Sequence, residues 1–286
     1  MDNYNFKKIG GYTEFFKEDI LNLDTEGKNH MTKLATISMS GGLDSTTLAY
    51  KAIEDGFNIL PLNINYGQKN VIELKAFKEV VSNMKDQFGT RVLEPIYLDL
   101  NKIMSPIIES WQKQRDSGKI LEKTGFEFYT PSRNLLFSVF AVHLGEVMAN
   151  DKSLLSLAIG LGIHKHSDDI YSKGDYWDIT PEFVERLDHL MELNDSTKVS
   201  MYAPYANSTK ADIVKDAIRL KVPISSTWTC YDPVKTKVDK TIIKYTPCLE
   251  CEACKERQQA GEEAGTKDIN DYYIYLNEVG LICDKD

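Results

Sequence analysis

The sequence predicts an α/β fold, a parallel sheet with helices on both faces. Short apolar runs of strand length, residues 34–39, 59–64, 92–98 and 154–159, alternate with longer stretches of helical period. Parallel neighbours need a crossover of a dozen or more residues, and the intervening segments are long enough to supply one. The first run also ends in a glycine-bearing loop where a helix begins. In such sheets ligands lie beyond the carboxyl ends of the strands, where strand order reverses.

Taken in order, residues 1–31 come first. Within 12–23, Phe15, Phe16, Ile20 and Leu23 recur at helical spacing, which predicts a short amphipathic helix in an extension that covers the sheet. The run 34–39 is the first strand and 45–54 the first helix. The run 59–64 is the second strand, followed by Asn65-Tyr66-Gly67-Gln68 and a helix over about 71–88; 92–98 is the third strand. Residues 100–129, which include Trp111-Gln112-Lys113-Gln114-Arg115, show no strong period. We expect an excursion over the active-site face there, with a helical insertion as the alternative. Another long helix precedes the strand at 154–159. The chain divides into an N-terminal extension (1–31), a main domain (32–225) and a C-terminal cysteine-bearing region (226–286).

The loop Ser40-Gly41-Gly42-Leu43-Asp44-Ser45-Thr46 reads as a phosphate seat. Two glycines let the backbone turn tightly and approach an anion. Ser40 and Ser45 add hydroxyl donors, and the first amides of the next helix point at the same spot. A triphosphate or pyrophosphate suits it. The commoner phosphate loop, Gly-x-x-x-x-Gly-Lys followed by Ser or Thr, does not occur in the sequence, which removes the usual kinase and GTPase reading.

Composition narrows the partners. At 286 residues and 42% hydrophobic the chain has enough apolar side chains for a sizeable core. It carries no apolar run of membrane-spanning length and no apolar signal core near its start, which predicts a cytoplasmic protein without membrane association. A net charge of -9 argues against direct binding to nucleic acid, which needs clustered Lys and Arg.

Of the five cysteines, Cys230, Cys248, Cys251 and Cys254 gather in one stretch, and Cys283 stands apart. The Cys-x-x-Cys-x-x-Cys spacing with one upstream Cys supplies four thiolates for a tetrahedral Zn2+. Iron–sulfur ferredoxins share part of the spacing, but their closely following fourth Cys, usually before Pro, is missing. With four sulfur ligands and no place for water, the metal is expected to be structural. His164 and His166 are spaced like a ligand pair, yet no further His or Cys lies near, and a substrate-facing role, or none, fits better.

Ser-Gly-Gly-x-Asp-Ser resembles the pyrophosphatase loop of the ATP-pyrophosphatase (PP-loop) superfamily, whose members split ATP to AMP and pyrophosphate. Further segments follow in a set order: Asn65-Tyr66-Gly67-Gln68-Lys69 with Glu73; Pro131-Ser132-Arg133-Asn134; Gly160-Leu161-Gly162-Ile163-His164; residues 178–183; Lys210-Ala211-Asp212; and Thr227-Trp228-Thr229-Cys230-Tyr231 with the later cysteines. Together, from about residue 34 to 260, they resemble the 7-cyano-7-deazaguanine synthase (QueC) family.

The resemblance implies a Rossmann-like sheet of the adenine nucleotide alpha hydrolase type with a small zinc-binding subdomain, and an AMP- and pyrophosphate-forming C–N ligase whose substrates are ATP, 7-carboxy-7-deazaguanine and ammonia. It implies that Ser40, Gly41, Gly42, Leu43, Asp44, Ser45 and Thr46 hold phosphates, that Asp44 holds Mg2+, and that Arg133 and Lys210 neutralise the alpha-phosphate. Adenine is expected near Asn63, Asn65 and Tyr66. The deazaguanine is expected to meet Tyr66, Gln68, Asn134, His164, Tyr176, Asp178 and Glu182. Ser40, Asp44, Ser45, Arg133 and Lys210 are the catalytic set, and a homodimer is a family expectation.

Departures bear on the acceptor. Where the family has Tyr-Pro-Asp-Cys-Arg-Pro-Glu-Phe, this chain has Tyr176-Trp177-Asp178-Ile179-Thr180-Pro181-Glu182-Phe183, and Ser132 stands where Gly is usual. These changes and the N-terminal extension motivate a second reading, transfer of the activated deazaguanine to an amine of a co-encoded partner protein, as in QueC-like enzymes of antiphage systems. A third reading is an ATP-sensing module without turnover. The retained Asp44, Arg133 and Lys210 speak against it.

Overall fold

In the computed structural model the described residues are 33–67, 71–117, 130–149, 156–160, 177–194, 199–239, 241–266 and 269–277. The extension, Gln68, His164, His166, Tyr176 and Cys283 lie outside them.

Five parallel strands, β1 (Lys33–Ser38), β2 (Asn58–Asn65), β3 (Ile96–Asp99), β4 (Ser156–Gly160) and β5 (Val199–Tyr202), form a sheet in the order β3-β2-β1-β4-β5. Strand β1 is central, with Ala35 beside Ile59 on one side and Ala158 on the other. Strand order reverses there, so the tip of β1 opens into the crevice between outgoing connections.

Burial on both faces explains the near-continuous apolar runs. On one face Ala35, Ile37 and Met39 pack with residues of α1 (Leu43–Glu54), α2 (Val71–Phe88) and α6 (Lys210–Arg219), among them Leu48, Phe77, Met84 and Val214. On the other face Leu34, Leu60 and Leu62 meet α3 (Asn101–Asp116) and α4 (Arg133–Ala149) through Met104, Ala141 and Phe137. Helix α5 (Pro181–Met191) closes that side with Phe183 and Leu187.

Two segments differ from the sequence expectation. The third strand begins at Ile96 rather than Val92. Gly89–Arg91 form a short 3-10 turn, Val92 makes a single bridge to Ile59, and Pro95, with no N–H for the ladder, delays the strand by one residue more. The excursion after Leu100 is in its first half a regular helix, α3. Its buried stripe, Leu100, Met104 and Ile108, has helical spacing, but Pro106 and the exposed Ile103 and Ile107 obscure it in the sequence.

A second, antiparallel sheet of β6 (Val234–Lys237), β7 (Ile242–Thr246) and β8 (Ile274–Asn277), in that order, lies with α7 (Glu252–Glu263) at the C-terminal end of the described residues. It packs on α2 through a cluster in which Ile72 and Ala76 meet Trp228, Tyr245, Tyr272 and Ile274. No helix among the described residues is long and apolar enough to cross a membrane.

Candidate active site and thiolate cluster

The loop at the tip of β1 is held open by its own backbone. Gly41 has φ +86°, and a Cβ there would run into the Phe77 amide nitrogen and lie 2.9 Å from the Ala76 carbonyl carbon. Only glycine fits so close to α2. Gly42 is the N-cap of α1, and no side chain caps that helix. The hydroxyls instead organise the turn. Ser40 Oγ accepts from the Gly42 N–H at 3.1 Å, and Thr46 Oγ1 donates to the Gly42 carbonyl at 2.7 Å. Ser45 Oγ reaches the Gly42 carbonyl and the Ser40 N–H at 3.4 Å each. An uncapped helix start after a left-handed glycine suits an anion, because the first-turn N–H groups and the helix dipole share one direction. Leu43, by contrast, turns its side chain into the core.

Lys210 reaches this loop from α6. Thr209 caps that helix in a capping box: its Oγ1 accepts from the Asp212 N–H at 3.2 Å, and Asp212 Oδ2 accepts from the Thr209 N–H at 3.0 Å. The cap aims Lys210, the first helical residue, at Asp44, with which its ammonium forms an ion pair. The lysine side chain is only 10% exposed, so it is no ordinary solvated first-turn lysine.

Arg133 opens α4. Its Nη1 donates to the Tyr66 hydroxyl at 3.2 Å, and its guanidinium lies 5.7 Å from the centre of the Tyr66 ring, which in turn packs on Phe137. Tyr66 is the largest influence on the guanidinium and raises its pKa, burial opposes this, and Tyr231 and Asp178 add to the rise. A cation at a helix N-terminus needs compensation. Asp178 supplies it: buried, 2% exposed, its Oδ2 accepts from the Asn134 N–H at 2.9 Å and so caps α4 from another segment. The residue before Arg133, Ser132, sits at φ +55°, a conformation that favours glycine.

Other expected contacts serve the scaffold. Asn63 is buried and donates to the Met39 carbonyl at 2.9 Å, which ties its amide to the residue after β1. Asn65 ties the turn after β2, accepting from the Gly67 N–H and donating to Asp99 Oδ1, both at 3.1 Å. Glu182 lies exposed on α5 and pairs with Arg186 at 2.6 Å. Thr180 is the N-cap of α5, accepting from the Phe183 N–H at 3.0 Å, and Ile179 packs against the Phe183 and Leu187 pair.

The four cysteines do come together. The Sγ atoms of Cys230, Cys248, Cys251 and Cys254 all lie within 4.8 Å of one another, so the cluster could hold a metal. The Cys251 N–H donates to Cys248 Sγ and the Cys248 N–H to Cys230 Sγ, each at 3.3 Å. Leu249, at φ +62°, makes the tight turn between them. Burial pushes the Cys248 thiol up, but the backbone N–H groups of Cys251 and Glu250 outweigh it and bring the group down to about 7; burial raises Cys230 to about 11. Thiols this close favour a shared cation over four protons.

Against known families, the model of "Queuosine biosynthesis protein QueC" matches residues 34–265. The chain belongs to the QueC family. Among its relatives, the 7-cyano-7-deazaguanine synthase of Leptospira interrogans serogroup Icterohaemorrhagiae serovar copenhageni is 31% identical over 258 residues, 86% of this chain and 96% of that protein. The namesake of Pseudoalteromonas translucida is 28% identical over 248 residues, 85% of this chain and 100% of its own length. Among solved structures, a 4-thiouridine synthetase in an RNA complex with bound ATP overlaps 85% of this chain and 55% of its own at 11% identity and a TM-score of 0.40. The U34-tRNA thiolase NcsA from Methanococcus maripaludis overlaps 72% and 64% at 18% identity and 0.38. Likenesses at that level say nothing about substrate.

One buried residue of this QueC chain escaped the sequence reading. Arg257 is wholly buried against residues 224–229, next to the phosphate loop. Its signal was present, since Arg257 follows Cys254 by three residues and so neighbours it on α7.

Proposed function

We propose that the chain is an ATP-dependent ligase that adenylates 7-carboxy-7-deazaguanine and converts the carboxylate, with ammonia, to the amide and then the nitrile. The observation that carries this reading is the Lys210–Asp44 pair at the mouth of an uncapped phosphate loop, in a chain whose match covers 100% of the Pseudoalteromonas translucida synthase.

In the first step a carboxylate oxygen attacks the alpha-phosphorus of ATP, the bond to the bridging oxygen breaks, and pyrophosphate leaves. Ammonia then displaces AMP from the acyl-adenylate, losing a proton and leaving the amide. A second ATP is attacked by the amide oxygen, with loss of pyrophosphate and one N–H proton, and loss of AMP and the remaining N–H proton gives the nitrile. Charge on phosphate oxygens is the main burden, so preorganised donors and cations do most of the catalytic work. The amides after Gly42 and the Ser40, Ser45 and Thr46 hydroxyls would hold the leaving pyrophosphate. Lys210 and Arg133 would face the alpha-phosphate, and Asp44 would hold Mg2+, which supplies charge neutralisation between phosphates when bound.

For the thiolate cluster we propose Zn2+ in a structural role. A tetrahedron of sulfurs at ~2.3 Å from zinc has edges of ~3.8 Å. The Cys230–Cys248 and Cys230–Cys251 separations of 3.5 and 4.0 Å bracket that value.

A second reading, transfer to a protein amine, draws on one observation. At the positions where the resemblance places Cys and Arg, Ile179 is an apolar side chain packed against Phe183 and Leu187, and Thr180 is spent on a helix cap, so neither offers a charge to a 7-carboxylate. Incubation with ATP, 7-carboxy-7-deazaguanine and ammonia, followed by mass spectrometry of the base, separates the two. Nitrile release supports the first reading. Arrest at the amide or adenylate, with label moving to a protein amine, supports the second.

A further inference from the structure

Arg257 is a full charge with 0% exposure, and among the described residues no carboxylate pairs with it. Its Nε donates to the Ile269 carbonyl at 3.0 Å, Nη2 to the Ile224 carbonyl at 2.9 Å, and Nη1 to Thr229 Oγ1 at 2.8 Å and the Thr227 carbonyl at 3.4 Å. The guanidinium also stacks 4.3 Å from the centre of the Tyr272 ring. Burial lowers its pKa from the ordinary arginine value, and Tyr272 and Asp44 oppose that. A buried cation held by neutral acceptors is costly, and an apolar side chain would fill the space more cheaply.

Three of the four acceptor residues sit on one segment. Ile224, Thr227 and Thr229 flank Trp228, whose backbone N–H donates to the Gly41 carbonyl at 2.9 Å and whose own carbonyl lies 3.3 Å from where a Gly42 Cβ would stand. Trp228 is itself pinned, its indole N–H donating to the Cys230 carbonyl at 2.9 Å. The guanidinium fork therefore fixes the segment that forms one wall of the phosphate loop. It does so from α7, whose first turn carries Cys254.

We infer that Arg257 is a positioning residue for ATP: through residues 224–229 it sets the conformation of Gly41 and Gly42, and its charge lies next to the loop that receives the phosphates. The inference rests on the nucleotide reading for its catalytic consequence, but its structural half stands apart from it. A lysine keeps the charge and loses the fork, so it should not replace the arginine fully.

The test uses the full chain with Arg257→Lys, Arg257→Met and the milder Thr229→Val, which removes one acceptor and keeps the arginine. Hydrogen exchange should quicken in peptides covering 40–46 and 224–230 in all three, with 34–38 and 59–64 unchanged. The KM for ATP should rise about tenfold in Arg257→Met, and less in Arg257→Lys and Thr229→Val, while the KM for the deazaguanine stays put. A purely structural role would lower the active fraction and move neither KM. Unchanged exchange at 40–46 in folded Arg257→Lys and Thr229→Val overturns the inference. If the native protein binds no ATP, the nucleotide reading fails, and the exchange data alone decide whether Arg257 positions the loop.

Discussion

The Lys210 ammonium rests on the Asp44 carboxylate, so the first residue of α6 is tied to the first turn of α1. Two helix starts, each with a positive dipole end, meet at one point, and the carboxylate between them holds the cation there. Lys210→Gln removes the charge proposed to face the alpha-phosphate. We expect kcat/KM for ATP to fall by about 10²–10³ with the fold retained. Steady-state kinetics beside circular dichroism check it, and near-native kcat/KM would remove Lys210 from the site.

Asp178 acts on Arg133 through the backbone of Asn134. Asp178→Ala withdraws a helix cap and a negative charge near the guanidinium, and should cost about 1–2 kcal/mol of stability. Denaturant unfolding measures this. If Asp178 served only to hold a base, the apo protein would lose no stability.

Helix α6 ends on Lys221 at φ +58°, with its N–H on the Ile218 carbonyl at 3.1 Å and the Val222 N–H on the Ala217 carbonyl at 2.9 Å. That is the geometry glycine favours after a helix. Lys221→Gly should raise unfolding stability by about 0.5–1 kcal/mol and leave the KM for ATP unchanged. Paired denaturation curves decide it.

On the same face, Arg219 grips Glu54 at 2.8 Å through Nη2 and lowers its pKa from 4.5 to about 2, against the opposing effect of desolvation. A carboxyl whose pKa falls on folding adds stability above its unfolded value, and that stability is lost as pH drops through the folded value. The contribution is thus complete above pH 4.5 and disappears towards pH 2. Glu54→Gln should flatten the dependence of Tm on pH within that window and leave it unaltered near neutrality. A steepness equal to the native protein's would show that the pair does not form.

The sheet was legible because β1 and β2 are buried on both faces, which forces unbroken apolar runs, and the loop because Gly41 must be glycine. The thiolate cluster was legible through its spacing. What escaped depends on contacts distant in sequence. Nothing local marks Asp178 as the cap of a helix that begins at Arg133, since the partners are 44 positions apart. Asn63 looked available beside Asn65, but it is buried and its amide donates to the Met39 carbonyl, a contact that no local pattern announces. Helix α3 was obscured by Pro106 within it.

The central claim, that the loop at the tip of β1 directs cleavage between the first and second phosphates of ATP, is tested most directly by the nucleotide products. Purified protein with ATP, Mg2+, 7-carboxy-7-deazaguanine and ammonia should release AMP and pyrophosphate in equal amounts, and Lys210→Gln should release far less of both. Release of ADP and inorganic phosphate instead would contradict the account.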